Sequence, residues 1–332
     1  MLDAFAFSAN AVLPIVFLIV LGYLFKRSGL LTTEFLNVGN KLVFRVLLPV
    51  MLFLNVYSIE RIRDVNIGFI IYGVAAVFAI FFLGIAVGCM ITRENAKRGA
   101  LIQAVFRSNY AIIGIPLAAS LFGEKGAAAA GVMSAFCVPL FNILSVITLT
   151  VFCKKDDKKR PDLMGILRDI IRNPLIIGTF SGLAVLAVRE VLVKNGISFR
   201  LNDISVVFRT LETLKSMCTP LALIVLGGKF EFRTAARLKR EIILGTLIRT
   251  LAVPILGLGT AYFLGERLRL GGEHFASYVG VFATPVAVAS AVMAKEMGAD
   301  EELAGQLVIW TTLAGTFTIF IYVTILRSVG IF

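Results

Sequence analysis

The residues best suited to bind a ligand lie in two stretches where an otherwise apolar chain is interrupted. Residues 107–116 read RSNYAIIGIP, and residues 283–285 read ATP. Proline inside a helix removes a backbone donor and pushes its predecessor toward an extended conformation. Two such interruptions facing each other would present unpaired N–H groups and positive helix-dipole ends, which suit an anion. The candidate binding residues are Ser108, Asn109, Gly114, Pro116, Thr284 and Pro285, with an electrostatic role for Arg107. The alternative is a pair of proline kinks that neighbouring helices tolerate.

The elements that carry these stretches are predicted to cross a membrane. Hydrophobic residues make up 58% of the 332 residues and charged residues 16%, and the mean hydropathy is +0.90. The apolar runs reach the length of roughly 20 residues that a helix needs to cross a bilayer. They are apolar on all sides, which excludes the alternating pattern of a transmembrane β-barrel. The sequence therefore predicts an all-α membrane protein.

Enzymes and nucleic-acid-binding proteins are excluded as classes. The formal net charge is +12, but the basic residues are spread over short loops and form no basic domain. No Ser/His/Asp, Cys/His or metal-ligand pattern can be assembled around His274, the only histidine. We expect neither a cofactor nor a metal ion.

Apolar runs bounded by charge, glycine or proline indicate ten spans. They lie near residues 9–25, 36–58, 67–91, 99–122, 127–152, 174–194, 204–228, 242–264, 275–295 and 303–326. A basic cytoplasmic linker, residues 153–172, separates a first half of five spans (1–152) from a second half of five (173–332).

The basic residues predict the orientation in the membrane. Assigning Lys and Arg to alternate sides of the ten spans places 18 on one side and 8 on the other. Cytoplasmic loops carry the excess of basic residues. We therefore expect a multi-pass protein of the cytoplasmic (inner) membrane, with both termini on the non-cytoplasmic side.

The two halves show signs of an inverted repeat. An odd number of spans per half turns the second copy upside down relative to the first. Charged residues precede proline in the second span (41–49) and in the seventh (212–220), and the fourth and ninth spans contain Pro116 and Pro285. Inverted repeats with discontinuous helices are typical of secondary transporters with a site at the bilayer midplane.

Charge within the spans favours an anionic substrate. Glu212 is the one plausible intramembrane acid, against six basic residues in or near spans: Lys41, Arg45, Arg107, Arg209, Lys215 and Arg249. Most of these are interpreted as snorkelling or paired side chains, whereas Arg107 lies two residues before Asn109. Coupling to protons or sodium stays open.

The fourth-span sequence SNYAIIGIPL (108–117), followed by LFG (121–123), resembles a motif of the auxin efflux carrier family. That family includes plant PIN exporters and bacterial malate and malonate permeases. The runs LPI (13–15), LLPVMLF (47–53) and TP (284–285) extend the resemblance over essentially the whole chain. The short linker between the halves resembles the linker of bacterial members of the family.

The resemblance implies ten helices in two inverted repeats with broken, crossing helices 4 and 9, as in bile-acid symporters and sodium/proton antiporters. It implies a scaffold from spans 1, 2, 6 and 7, and a transport domain from spans 3–5 and 8–10. Substrate would bind at the crossover of spans 4 and 9, near Asn109, Pro116 and Pro285. Elevator-type alternating access, often in a homodimer, would move a carboxylate such as malate or malonate, rather than auxin. A membrane sensor or scaffold with a transporter fold, and an ion channel, are the alternatives.

Overall fold

The chain is almost entirely helical in a computed structural model that describes residues 2–58, 66–153 and 163–332. The basic run 154–160 of the predicted linker lies outside the described residues, as do Arg61 and Arg63. The α-helices are α1 (Leu2–Arg27), α2 (Thr33–Leu42), α3 (Leu48–Tyr57), α4 (Ile67–Ile91), α5 (Asn95–Phe106), α6 (Ile115–Cys153), α7 (Leu163–Ile171), α8 (Pro174–Lys194), α9 (Ser205–Gly228), α10 (Phe232–Arg237), α11 (Lys239–Leu247), α12 (Val253–Leu268), α13 (Gly272–Tyr278), α14 (Val288–Glu296) and α15 (Glu301–Ser328).

Side chains just ahead of several helices explain where those helices begin. The Thr32 hydroxyl accepts a hydrogen bond from the Phe35 amide before α2, at 3.1 Å. Asn66, Asn173 and Asp300 accept from backbone amides in the same way ahead of α4, α8 and α15. Such caps satisfy amides that have no partner inside the helix.

Seven continuous helical segments of the described residues are long and apolar enough to cross a membrane. They are 33–57, 67–91, 110–153, 174–194, 205–228, 239–268 and 301–328. An all-α membrane protein is therefore confirmed, whereas ten spans stay a prediction. The predicted first span lies in α1. The fourth begins in α5 and continues after residues 107–109 into 110–153, which also holds the fifth and bends at Phe122 and Gly123. The ninth is divided between α13 and α14.

Within the described residues, four π-helical turns interrupt the α-helices, and a proline follows each one. The turns are Val43–Leu47, Tyr110–Gly114, Ile248–Ala252 and Val279–Ala283, and each proline comes two residues after the last residue of its turn: Pro49, Pro116, Pro254 and Pro285. Proline lacks an N–H group and its ring clashes with the carbonyl four residues earlier. Widening the preceding turn accommodates both defects. Helical structure continues through three of these prolines, Pro49, Pro116 and Pro254, after the wider turn.

The helices pack in two sets. The first helical group consists of α1, α2, α3, α8 and α9, and the second of α4, α5, α6 and α11 to α15; α1 also packs against α15 of the second group. Glycines bring the first group into close contact: a Cβ at Gly178 would lie 2.5 Å from the Pro49 carbonyl oxygen, and one at Gly182 2.7 Å from that of Phe53. These glycines have the spacing of close helix contacts in membranes. The two interrupted stretches, 107–109 and 284–287, lie in the second group on the side that faces the first.

Candidate functional site

The two interrupted stretches meet and pair through their backbones. Helix α5 ends at Phe106, and residues 107–109 are not helical; likewise the π-helical turn after α13 ends at Ala283, and 284–287 precede α14. The Asn109 amide donates to the Pro285 carbonyl at 2.8 Å, and the Ala287 amide donates to the Arg107 carbonyl at 3.2 Å. Residues 108 and 286 thus form an isolated antiparallel bridge. We call this arrangement the crossing.

Glycines allow the two stretches to approach one another beyond the bridge. A Cβ added to Gly114 would lie 2.9 Å from the Gly280 Cα atom, and one on Gly280 would lie 2.8 Å from the Gly114 Cα atom. The Tyr110 ring packs against both glycines, and its hydroxyl lies 2.7 Å from the Ser277 hydroxyl. Residues larger than glycine would force the crossing apart.

A cavity of about 50 Å³, here the crossing cavity, lies between the crossing and the first helical group. Apolar side chains such as Leu48, Met51 and Val292 form part of its wall. Its polar and thiol-bearing residues are Asn55, Arg107, Ser108, Asn109, Tyr110, Asn142, Cys218 and Thr219. An apolar pocket with a few convergent polar groups is the usual form of a small-molecule site.

Arg107 brings a positive charge to this cavity. Its side chain is 4% exposed, and its guanidinium donates to the Asn142 side-chain oxygen at 2.6 Å and to that of Gln103 at 3.4 Å. It also contacts the Met293 sulfur. None of the salt bridges found among the described residues includes Arg107. A buried cation without a carboxylate partner is costly, so an anion in the cavity would be favourable.

The neighbouring polar side chains also have unused hydrogen-bonding groups. Among the described residues, no partner is found for the buried Ser108 hydroxyl or for the Asn109 side-chain nitrogen. Both residues line the crossing cavity. Buried polar atoms are normally hydrogen-bonded, so an unpaired group in a cavity wall points to a missing ligand or water.

The predicted binding residues separate into two kinds. Arg107, Ser108 and Asn109 line the cavity. Thr284 and Pro285 lie at the crossing but do not line the crossing cavity. The Thr284 hydroxyl donates to the Gly280 carbonyl at 2.7 Å.

Gly114 and Pro116 also do not line the crossing cavity. Gly114 is buried where the two stretches touch. Pro116 is exposed, lies within α6, and follows the end of α5 by ten residues, whereas Pro285 lies inside its interruption. The two prolines therefore do not occupy equivalent positions, and the first interruption falls at 107–109, ahead of Pro116.

Sequence reasoning missed Asn55, Asn142 and Thr219 in the cavity wall. Each is an isolated polar residue in an apolar span, and no spacing links it to Asn109. It also interpreted Arg249 as one of the snorkelling or paired cations, although this residue is 0% exposed and bonds only to backbone carbonyls. A lone arginine in the middle of an apolar span is the signal that could have found it.

Two further cavities adjoin the crossing cavity on opposite sides. The Lys215-side cavity, of about 770 Å³, shares Met51, Asn55 and Thr219 with the crossing cavity. The Lys229-side cavity, of about 250 Å³, shares Ala222 and Val292 with it. The crossing cavity thus shares wall residues with a larger cavity on each side.

Ion pairs join the two helical groups on the Lys229 side. The Lys229 ammonium lies 2.5 Å from a Glu301 oxygen, and the Lys295 ammonium lies 3.1 Å from the other oxygen of the same carboxylate. Lys295 also donates to the Asn37 side-chain oxygen at 2.6 Å. Asn37 lies in α2 and Lys229 directly follows α9, both in the first helical group. Lys295 lies in α14 and Glu301 in α15, both in the second. These contacts tie the groups together at this side.

Metal coordination has no candidate in the part of the chain that the structure describes. No group of three or more His, Cys, Asp or Glu side chains is placed there to hold a metal ion.

The fold and the crossing define the class as a polytopic helical membrane protein with a buried cavity between two helical groups. The chain belongs to the membrane transport protein family, whose model matches residues 7–323. This confirms the family resemblance predicted from the fourth-span motif.

Related proteins span nearly the same length. An "Uncharacterized transporter" of Methanocaldococcus jannaschii is 26% identical over 309 residues, which cover 90% of this chain and 91% of that protein. A "Putative malonate transporter" of Rhizobium meliloti is 26% identical over 325 residues, covering 96% and 95%. The protein is therefore a membrane transporter by family.

Proposed function

We propose that this transporter is a secondary carrier of a small organic anion, a carboxylate such as malonate or malate, bound in the crossing cavity. The observation that carries the proposal is the buried Arg107 guanidinium, which faces no carboxylate in the described residues and lies beside the unpaired groups of Ser108 and Asn109. A carboxylate would accept from all three donors, and charge-assisted hydrogen bonds are the stronger kind.

The starts of two helical segments add to the preference for an anion. Residues 110–112 and 287–289 line the crossing cavity at the points where helical structure resumes after each interruption. The first amides of a helix lack partners within it, and the dipole places partial positive charge there. Together with Arg107 they favour a negative group over a neutral one.

We further propose alternating access of the elevator type, in which the second helical group moves against the first as a scaffold. The position of the crossing cavity between the two groups supports this. So do the ion pairs around Glu301, which hold the groups together on the Lys229 side while the cavity on the Lys215 side is wide. We place the protein as a homodimer in the cytoplasmic membrane, with its termini and the Lys215 side facing away from the cytoplasm.

Uptake into proteoliposomes tests the proposal. We expect labelled malonate or malate to enter vesicles containing the full-length protein faster than protein-free vesicles, and unlabelled dicarboxylate to compete. Malonamide, which has nearly the same shape without the charge, should not compete. Imposed proton and sodium gradients, applied separately, identify the coupling ion. Uptake of neither dicarboxylate under any gradient, or equal competition by malonamide, would contradict an anion carrier for these substrates.

A further inference from the structure

A second buried guanidinium lies next to the crossing but outside the cavity. Arg249 is 0% exposed and belongs to the π-helical turn 248–252. Its Nε and Nη2 atoms donate to the Thr284 carbonyl at 3.0 and 2.6 Å. The same side chain donates to the Val281 carbonyl at 3.3 Å and to the Val105 carbonyl at 3.1 Å. No salt bridge among the described residues includes it.

These three carbonyls belong to the ends of both interrupted helices. Val105 lies in the last turn of α5, and Val281 and Thr284 lie at the end of the helical stretch that begins with α13. Carbonyl ends of helices lack internal partners and carry partial negative charge. Arg249 therefore supplies both the hydrogen-bond donors and the opposite charge that these two ends require.

Pro285 explains why one of these carbonyls needs an outside donor. In an uninterrupted helix, the Val281 carbonyl would accept from the amide of residue 285, four positions later. Proline has no amide hydrogen. The Arg249 guanidinium takes that place, which leaves the interruption satisfied in surroundings that exclude water.

The opposite ends of the same interruptions face the cavity. Residues 110–112 and 287–289 line it, whereas Arg249, Val105, Val281 and Thr284 do not. The crossing therefore has two chemically different sides. The carbonyl ends of the helices bind Arg249, whereas the amide ends face the cavity and are available to a ligand.

We propose that Arg249 is a positioning residue that gives the crossing its preference for an anion, by neutralising the two carbonyl ends that would otherwise repel a carboxylate nearby. The inference rests on the proposed transport of an anion. Charge on Arg249 then governs substrate affinity, while its forked hydrogen bonds govern the stability of the crossing. A purely structural arginine would govern stability alone.

Two substitutions separate charge from geometry. Arg249→Lys keeps the charge but cannot reach three carbonyls with a planar fork, whereas Arg249→Gln removes the charge. Both should lower the unfolding midpoint of the purified full-length protein without substrate. In malonate uptake, we expect Arg249→Gln to raise KM about tenfold with kcat within about threefold, and Arg249→Lys to keep KM within about threefold of wild type.

Tyr322→Phe serves as the matched control. The Tyr322 hydroxyl donates to the Thr250 and Leu251 carbonyls, at 3.3 and 3.2 Å, in the same π-helical turn. Losing these bonds should lower the unfolding midpoint without changing KM. Equal KM values in the Lys and Gln variants would overturn the inference. If the Gln variant does not fold, the Lys variant decides alone: KM near wild type supports the inference, and a KM raised about tenfold overturns it.

Failure of the parent proposal is distinguishable from failure of this one. A wild-type protein that takes up neither malonate nor malate contradicts anion transport itself. A wild-type protein that transports malonate, while both Arg249 variants share one KM, contradicts only the role of Arg249.

Discussion

The two interruptions of the crossing are alike in backbone and different in chemistry. Residues 107–109 bring a cation, a hydroxyl and an amide to the cavity wall, while 284–287 present Ala287 alone to it. The second interruption is stabilised by side chains that do not line the cavity. Arg249 donates to the Thr284 carbonyl, and the Thr311 hydroxyl accepts from the Val286 amide at 3.1 Å. Under the proposed function, the first break would recognise the ligand, while the second supports the crossing.

The largest effect should come from Arg107→Gln. Removing a buried charge that pairs with a ligand costs roughly 2–5 kcal/mol, so malonate uptake (kcat/KM) should fall by about thirtyfold or more. Arg45→Gln makes the same change at an exposed arginine outside the cavity and should transport normally. Equal uptake by the two variants would show that Arg107 does not bind the substrate.

The next effect compares one residue from each of the two interruptions. Asn109→Ala removes a side-chain donor from the cavity and should raise the KM for malonate about tenfold. Val286→Ala, at the bridged position in the second interruption, should leave KM within about twofold but lower the unfolding midpoint, because Val286 is 1% exposed and its truncation leaves a small void. A raised KM for Val286→Ala together with an unchanged KM for Asn109→Ala would contradict the roles assigned to the two interruptions.

A moderate effect is expected from Glu301→Gln, which weakens the ion pairs between the helical groups. Cys218 lines the crossing cavity, and its labelling by an impermeant maleimide from the Lys229 side should rise about threefold. The measurement uses a Cys89→Ser background, because Cys89 is exposed; of the three buried cysteines, Cys137, Cys153 and Cys218, only Cys218 lines the crossing cavity.

Glu302→Gln is the control for that experiment. Glu302 pairs with Arg237, but both side chains are more than half exposed, and exposed pairs contribute little. Labelling that rises equally in both variants, or in neither, would show that the Glu301 contacts do not close this side.

The smallest effect should follow Pro116→Ala. Pro116 is exposed and lies in α6 beyond the π-helical turn, so uptake should stay within about twofold of wild type. A loss comparable to that of Asn109→Ala would place Pro116 in the binding site after all.

The sequence predicted the family, the helical membrane class and the two stretches that meet at the crossing. Long apolar runs are sufficient for the class, because a bilayer demands them of any spanning helix. Ser108 and Asn109 could be predicted because polar residues beside glycine and proline stand out in an apolar span. The break in the first stretch lies at 107–109 and not at Pro116, which follows a widened turn.

The remaining site residues could not be predicted because packing, not spacing, brings them together. Asn142 lies on α6, 35 residues after Arg107, and its contact with the guanidinium depends on how α6 packs on α5. Arg249 lies 144 residues after the Val105 carbonyl that it binds. Local sequence carries no record of either contact.

A structure of the protein with bound malonate tests the central claim most directly. We predict density for a carboxylate in the crossing cavity, with its oxygens about 3 Å from the Arg107 guanidinium and the Asn109 side-chain nitrogen. Malonate bound elsewhere, with both groups still unoccupied, would contradict the account.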